Sequence, residues 1–152
     1  MQTQRGTKNG RAPKVATHDE ASDGAIAELM NRFADGLTAG DGKAIAKLWS
    51  VPALVISDAG AQAVASLEQV ESFFSGVKEQ YAAQGIDEAR PDIRSVVWLT
   101  PKLANVTVRW PYVDRAGREF GEESSTYTLH RDEDGSLKIQ VIVMHGTKKK
   151  AH

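Results

Sequence analysis

A chain of 152 residues, 41% of them hydrophobic and none of them cysteine, has the size of one compact domain and excludes disulfides, thiolate metal sites and cysteine nucleophiles. Its formal charge of −1 conceals a division: Arg5, Lys8, Arg11 and Lys14 give residues 1–18 a charge of +4, Lys148 to Lys150 give the end +3, and residues 19–146 hold 12 of the 19 basic residues against all 20 acidic ones, a net of −8. An acidic body argues against nucleic acid as a partner, and the absence of an apolar run of about 20 residues or a signal-peptide core leads to the expectation of a cytoplasmic protein with no membrane partner.

Residues 1–21 are polar and without periodicity, which predicts a disordered basic arm ahead of a domain spanning 22–146, with 147–152 as a basic tail. Ile26, Leu29, Met30, Phe33 and Leu37 fall at helical spacing after a cap at Ser22 or Asp23, and Gly40 lies beyond their end. Asp41 caps a second helix, GKAIAKLWS, which Pro52 keeps from continuing. ALVIS and QAVAS, on either side of Asp58-Ala59-Gly60, predict a short hairpin. Ser66 with Gln69 forms a capping box for a third helix, whose stripe runs Leu67, Val70, Phe74, Val77, Tyr81 and stops at Gly85. Strands are predicted over 92–99, 103–113, 118–131 and 136–145.

Turn chemistry and alternation together predict a register. A four-residue turn at Asp114-Arg115-Ala116-Gly117 sets Trp110 opposite Gly121 and Val108 opposite Glu123. A three-residue loop, Glu133-Asp134-Gly135, with the glycine left-handed, pairs Leu129 with Ile139, Tyr127 with Val141 and Glu123 with His145. One face then collects Val106, Val108, Trp110, Tyr112, Ser125, Tyr127, Leu129, Leu137, Ile139, Val141 and Val143, with Glu123 and His145 as cross-strand neighbours near Trp110. An ionisable pair on an apolar face must be hydrogen-bonded or shifted in pKa, so these two are candidate catalytic residues.

The stretch RFADGLTAGDGKAIAKLW, in which one helix ends at A-G-D and the next begins, and the closing hairpin SSTYTLHRDEDGSLKIQVIVMHG resemble the nuclear transport factor 2-like superfamily. The resemblance spans roughly residues 23–146 and implies an α+β cone: three N-terminal helices packed on a curved, mainly antiparallel mixed sheet, with a pocket inside and frequently a homodimer through the outer sheet face. Ile142 and Met144 are expected on that outer face. Relatives include ketosteroid isomerase, scytalone dehydratase, polyketide cyclases and non-catalytic transport or assembly domains, so fold alone does not choose a function. The isomerase's helix-borne tyrosine falls on Phe33, which has no hydroxyl; its base falls on Ser57 or Asp58; its second oxyanion donor falls on Tyr127. The isomerase set is therefore absent as such, and that activity is not expected.

The residues and the resemblance lead to two principal expectations. The first is a domain that binds a small, mostly apolar molecule, with Trp110, Tyr112, Tyr127, Phe33 and Trp49 as ligand-binding residues. The second is a lyase, isomerase or hydrolase working without a cofactor, with Glu123 or Asp58 as general base and His145 as partner. A dimeric assembly domain with a filled cone is a third. Asp58 before a glycine-containing turn is equally turn chemistry. No His-x-His or His-Glu-x-x-His spacing, phosphate loop or dinucleotide fingerprint occurs, so neither metal nor nucleotide cofactor is expected.

Overall fold

The computed structural model describes residues 20–149, so the expected arm lies almost wholly outside the described residues, as do residues 150–152. The elements run α1 (Glu20–Ala39), α2 (Gly42–Ala46), β1 (Trp49–Ser57), β2 (Gly60–Val64), α3 (Leu67–Phe74), α4 (Val77–Gln84), β3 (Asp92–Thr100), β4 (Leu103–Val113), β5 (Glu119–Arg131) and β6 (Leu137–Lys149). The six strands form one sheet in the order β2-β1-β6-β5-β4-β3, antiparallel except where β1 runs parallel to β6. Its inner face is covered by the helices in an α+β cone.

Local chemistry explains the helices. The predicted stripe of α1 is buried, with Met30 at 0% exposure, and each such large apolar side chain contributes about 1.5–3 kcal/mol by leaving water. Asp41 caps α2 by accepting from the Ala44 amide at 3.1 Å. Ser66 and Gln69 form the predicted capping box: the Gln69 amide donates to Ser66 Oγ at 3.2 Å and the Ser66 amide to Gln69 Oε1 at 3.3 Å. The glycine that opens α2 is sterically required, since a Cβ on Gly42 would stand 2.8 Å from the Glu71 carbonyl oxygen of α3. One correction concerns the predicted third helix, which is two. It breaks at Ser75-Gly76, where Ser75 Oγ donates back to the Ser72 carbonyl at 2.9 Å and glycine, the weakest helix former after proline, begins the next helix.

The middle strands lie close to their predicted positions, whereas β1 begins at Trp49, where the second helix was expected to continue, and β6 runs on to Lys149, into the expected tail; the register departs from prediction through bulges. Between β4 and β5 the Asp114 amide donates to the Arg118 carbonyl, closing a loop one residue shorter than expected, and Phe120 then bulges between the pairs Val113–Glu119 and Tyr112–Gly121. The two one-residue offsets add, so Trp110 faces Glu123 and Val108 faces Ser125; because the total is even, every side chain keeps its predicted face. At the β5–β6 turn the predicted three-residue loop forms, with Gly135 at φ 89° and Leu129 paired with Ile139. Beyond that pair β6 carries two extra residues, Gln140 and His145, so Tyr127 pairs with Ile142 and Glu123 with Thr147. A single extra residue inverts the faces. Ile142 is therefore buried and Met144 packs against the core, which corrects the expectation that both lie on the outer face, while Val141 and Val143 leave the inner one.

Candidate functional site

The inner face of β5 reads, from its buried end to its open one, Leu129, Tyr127, Ser125, Glu123. Leu129 is at 0% and Tyr127 at 2% exposure, while Glu123 is half-buried where the helical cover thins. Here the cone encloses a pocket of about 400 Å³, within the span of about 300–1,000 Å³ usual for small-molecule sites. Trp110 and Tyr112 of β4 and Ile142, Met144 and Thr147 of β6 form the sheet side. Phe33 and Leu37 of α1, Phe73 and Phe74 of α3, and Val77, Gln80, Tyr81 and Gln84 of α4 form the helical side.

Phe33 is the hub of the apolar part. Its ring meets Phe74, Trp110 and Tyr127 edge-on at centroid distances of 5.5, 5.9 and 5.9 Å, the arrangement that the aromatic quadrupole favours. Trp49 is corrected as a pocket residue: it packs against Phe33 and Phe74, with centroids 6.4 and 5.8 Å apart, at 4% exposure, and does not line the cavity.

Two hydrogen-bonded groups form the polar part. Trp110 Nε1 donates to the Tyr127 hydroxyl at 3.0 Å, and Tyr127 is also hydrogen-bonded to Ser125, the one fully buried polar residue among the described residues. The Tyr112 hydroxyl donates to the Glu123 carboxylate. Burial pushes the Glu123 carboxyl above its ordinary value, and the bond from Tyr112 only partly opposes this. Burial, and then the nearby Glu123 charge, push Tyr112 up to about 12. Tyr81 is raised by burial first and by the same charge second; Tyr127 is raised by burial against the pull of the Trp110 hydrogen bond. All three phenols therefore keep their protons through neutral pH, and Glu123 is the one carboxyl among the described residues that line the pocket.

The expected Glu123–His145 pair does not exist. His145 is the bulged residue itself, exposed on the outer face, where its Nε2 lies 2.8 Å from Thr126 Oγ1, which in turn is 3.2 Å from Thr107 Oγ1. Nor does Asp58 reach the pocket; it is exposed in the β1–β2 turn. The structure thus brings together Glu123, Trp110, Tyr112, Tyr127 and Phe33 and separates from them His145, Asp58 and Trp49. Sequence reasoning missed Tyr81, assigned to the core stripe although its hydroxyl was a usable signal, and Ile142, Met144 and Thr147, whose placement depends on the bulges. Among the described residues no group of His, Cys, Asp and Glu is placed to hold a metal ion.

On the outer face, one residue along, the chemistry differs. Arg109 Nε donates to Glu122 at 2.7 Å, its Nη2 to Glu119, and its Nη1 lies 3.5 Å from Asp92, which also binds Arg94 at 3.0 Å. The hydrogen bonds that it donates to Glu122 and Glu119 hold the guanidinium well above its ordinary value. This cluster ties β3, β4 and β5 together.

A family model described as "NTF2-like protein (DUF6841)" matches residues 19–147. Among solved structures, a domain of unknown function with a cystatin-like fold from Nostoc punctiforme is similar at a TM-score of 0.67 and 16% identity, covering 89% of this chain and 81% of its own. An NTF-2 like protein of unknown function from Shewanella oneidensis superposes at 0.62 with 15% identity, over 82% of this chain and 98% of its own. A ketosteroid isomerase-like protein from Erwinia carotovora atroseptica does so at 0.60 with 13% identity, over 85% and 96%. No curated protein matches the chain.

Proposed function

The chain belongs to the NTF2-like family DUF6841, and from that premise we propose that it binds a small, mostly apolar molecule in the pocket of its cone. The observation that carries this reading is the pocket itself: about 400 Å³ of space walled largely by aromatic side chains, with Glu123–Tyr112 and Tyr127–Ser125 as polar groups on the strands and Gln80, Gln84 and Thr147 adding others. An apolar wall with a few convergent polar groups is what holds and orients a small ligand. A pure assembly domain gains nothing from leaving such space open, and the outer-face residues expected to support a homodimer, Ile142 and Met144, belong to the pocket wall instead.

The test uses the indole N–H of Trp110 as reporter in a fragment screen by NMR. Binding is supported if fragments move the Trp110 resonance and that of Tyr127 together while leaving the outer-face Thr126 unmoved. A screen in which no fragment moves Trp110, or in which shifts map to the outer face, overturns it.

A second reading, catalysis without a cofactor, has one specific observation in its favour: burial makes Glu123 a stronger base than a solvated glutamate, and the Tyr127 phenol lines the same cavity as a hydrogen-bond donor. A lyase, isomerase or hydrolase of this kind loses turnover in Glu123→Gln with binding retained, whereas a binder has no turnover to lose.

A further inference from the structure

The chemical class of the ligand follows from a charge imbalance, and rests on the pocket being a ligand site. Glu123 is the one formally charged side chain among the described residues that line it; α1, α3, α4, β4 and β6 contribute no Lys, Arg, His or Asp. Its hydrogen-bond partner is the neutral hydroxyl of Tyr112, and the titratable groups that face it are Tyr81 from α4, Tyr112 from β4 and Tyr127 from its own strand, all protonated at neutral pH. Lys78 and Arg115 border a second cleft, with Tyr81 between it and the pocket, but both are exposed and therefore screened by salt. Among the described residues, an ionised Glu123 is thus a negative charge in a poorly solvated place with no fixed counter-charge on the pocket wall. The wall that it shares includes Trp110, Tyr112, Tyr81 and Phe33, and the face of an aromatic ring carries a negative quadrupole as well. A carboxylate and aromatic faces attract the same partner.

We propose that the pocket's ligand carries a small organic cation, a protonated amine or a quaternary ammonium, seated against Glu123, with its apolar remainder among Phe33, Phe74 and Met144. The cation supplies a counter-charge that none of the described residues on the pocket wall provides. The opposite arrangement, a neutral carbonyl accepting a hydrogen bond from protonated Glu123, has the opposite pH dependence. Binding of a cation requires the carboxylate, so affinity is lost as pH falls through the Glu123 pKa of the empty pocket; binding of a carbonyl requires the acid, so affinity is gained over that interval.

The experiment measures, on the full chain, the affinity of benzyltrimethylammonium and of its neutral isostere neopentylbenzene from the Trp110 resonance, at about pH 5 and about pH 8, in the wild type and in Glu123→Gln. The expected result is at least about tenfold tighter binding of the cation at the higher pH, a preference that shrinks in acid and disappears in Glu123→Gln while the isostere binds the variant as before. If the isostere binds as tightly as the cation, or the cation binds better in acid, the inference is overturned and the pocket reading stands. If neither probe moves Trp110, both fall. The wild-type pH dependence decides the matter even if the variant folds poorly.

Discussion

Glu122 and Glu123 are adjacent on one strand and live in opposite electrostatic worlds. Glu122 points out and meets the Arg109 guanidinium at 2.7 Å, within a cluster that also gathers Glu119, Asp92 and Arg94. Glu123 points in and meets a phenol among aromatic rings, with no cation on the pocket wall among the described residues. The outer carboxylate is neutralised by an arginine and ties strands together; the inner one faces the pocket. Alternation along a strand separates the two environments by a single residue.

The largest expected effect asks whether the inner site is also core. Phe33→Ala removes the ring shared by Phe74, Trp110 and Tyr127 and is predicted to destabilise the protein by about 3–5 kcal/mol, measured by denaturant unfolding; a loss under about 1 kcal/mol would mean that the pocket end is packed far more loosely than described. Tyr127→Phe comes next. It leaves the buried Trp110 N–H without its acceptor, at a cost of about 1–3 kcal/mol.

Glu123→Gln should act in the opposite direction. The folded-state pKa of Glu123 is raised, so the stability that it contributes is fully present below its unfolded value and is lost as pH rises through the folded one. The variant is therefore predicted to be more stable than the wild type at about pH 8, by on the order of 1 kcal/mol, with the gain vanishing in acid. Thermal melts across pH measure this, and a variant that is destabilised at high pH breaks the contrast with Glu122. Smallest is Arg109→Ala, predicted to cost about 0.5–1 kcal/mol and less at high salt, because the cluster is part-exposed. A salt-independent loss would show that packing of the arginine stem, not charge, holds the outer face.

The elements were legible because their signals are local: the α1 stripe, the Ser66–Gln69 capping box and the left-handed Gly135 each follow from a few neighbouring residues. The register was legible only as far as the first bulge. Gln140 bulges with no glycine or proline beside it. Phe120 and His145 each precede a glycine, in the second case Gly146 at φ 101°, but a glycine within a strand does not by itself say whether an extra residue fits there, because sheet curvature over the helices, a property of the whole fold, decides that. The consequences for the site were uneven. Two offsets on the β4–β5 side preserved the faces, so Trp110, Tyr112, Tyr127 and Glu123 were found from alternation alone. One offset before Ile142 inverted the β6 side, which hid Ile142 and Met144 and cost Glu123 its supposed histidine partner. Asp58 and Trp49 failed for another reason: spacing along the chain does not say which turn or which side of a core ring faces the cavity.

The most direct test of the inner carboxylate is its own titration, followed at the Glu123 side-chain carboxyl carbon by NMR in the wild type and in Tyr112→Phe. A value above the ordinary 4.5, rising further when the Tyr112 hydroxyl is removed, is the predicted result. A Glu123 that titrates at or below 4.5, indifferent to Tyr112, would mean a solvated carboxylate and would contradict both the pocket's electrostatics and the cationic ligand drawn from them.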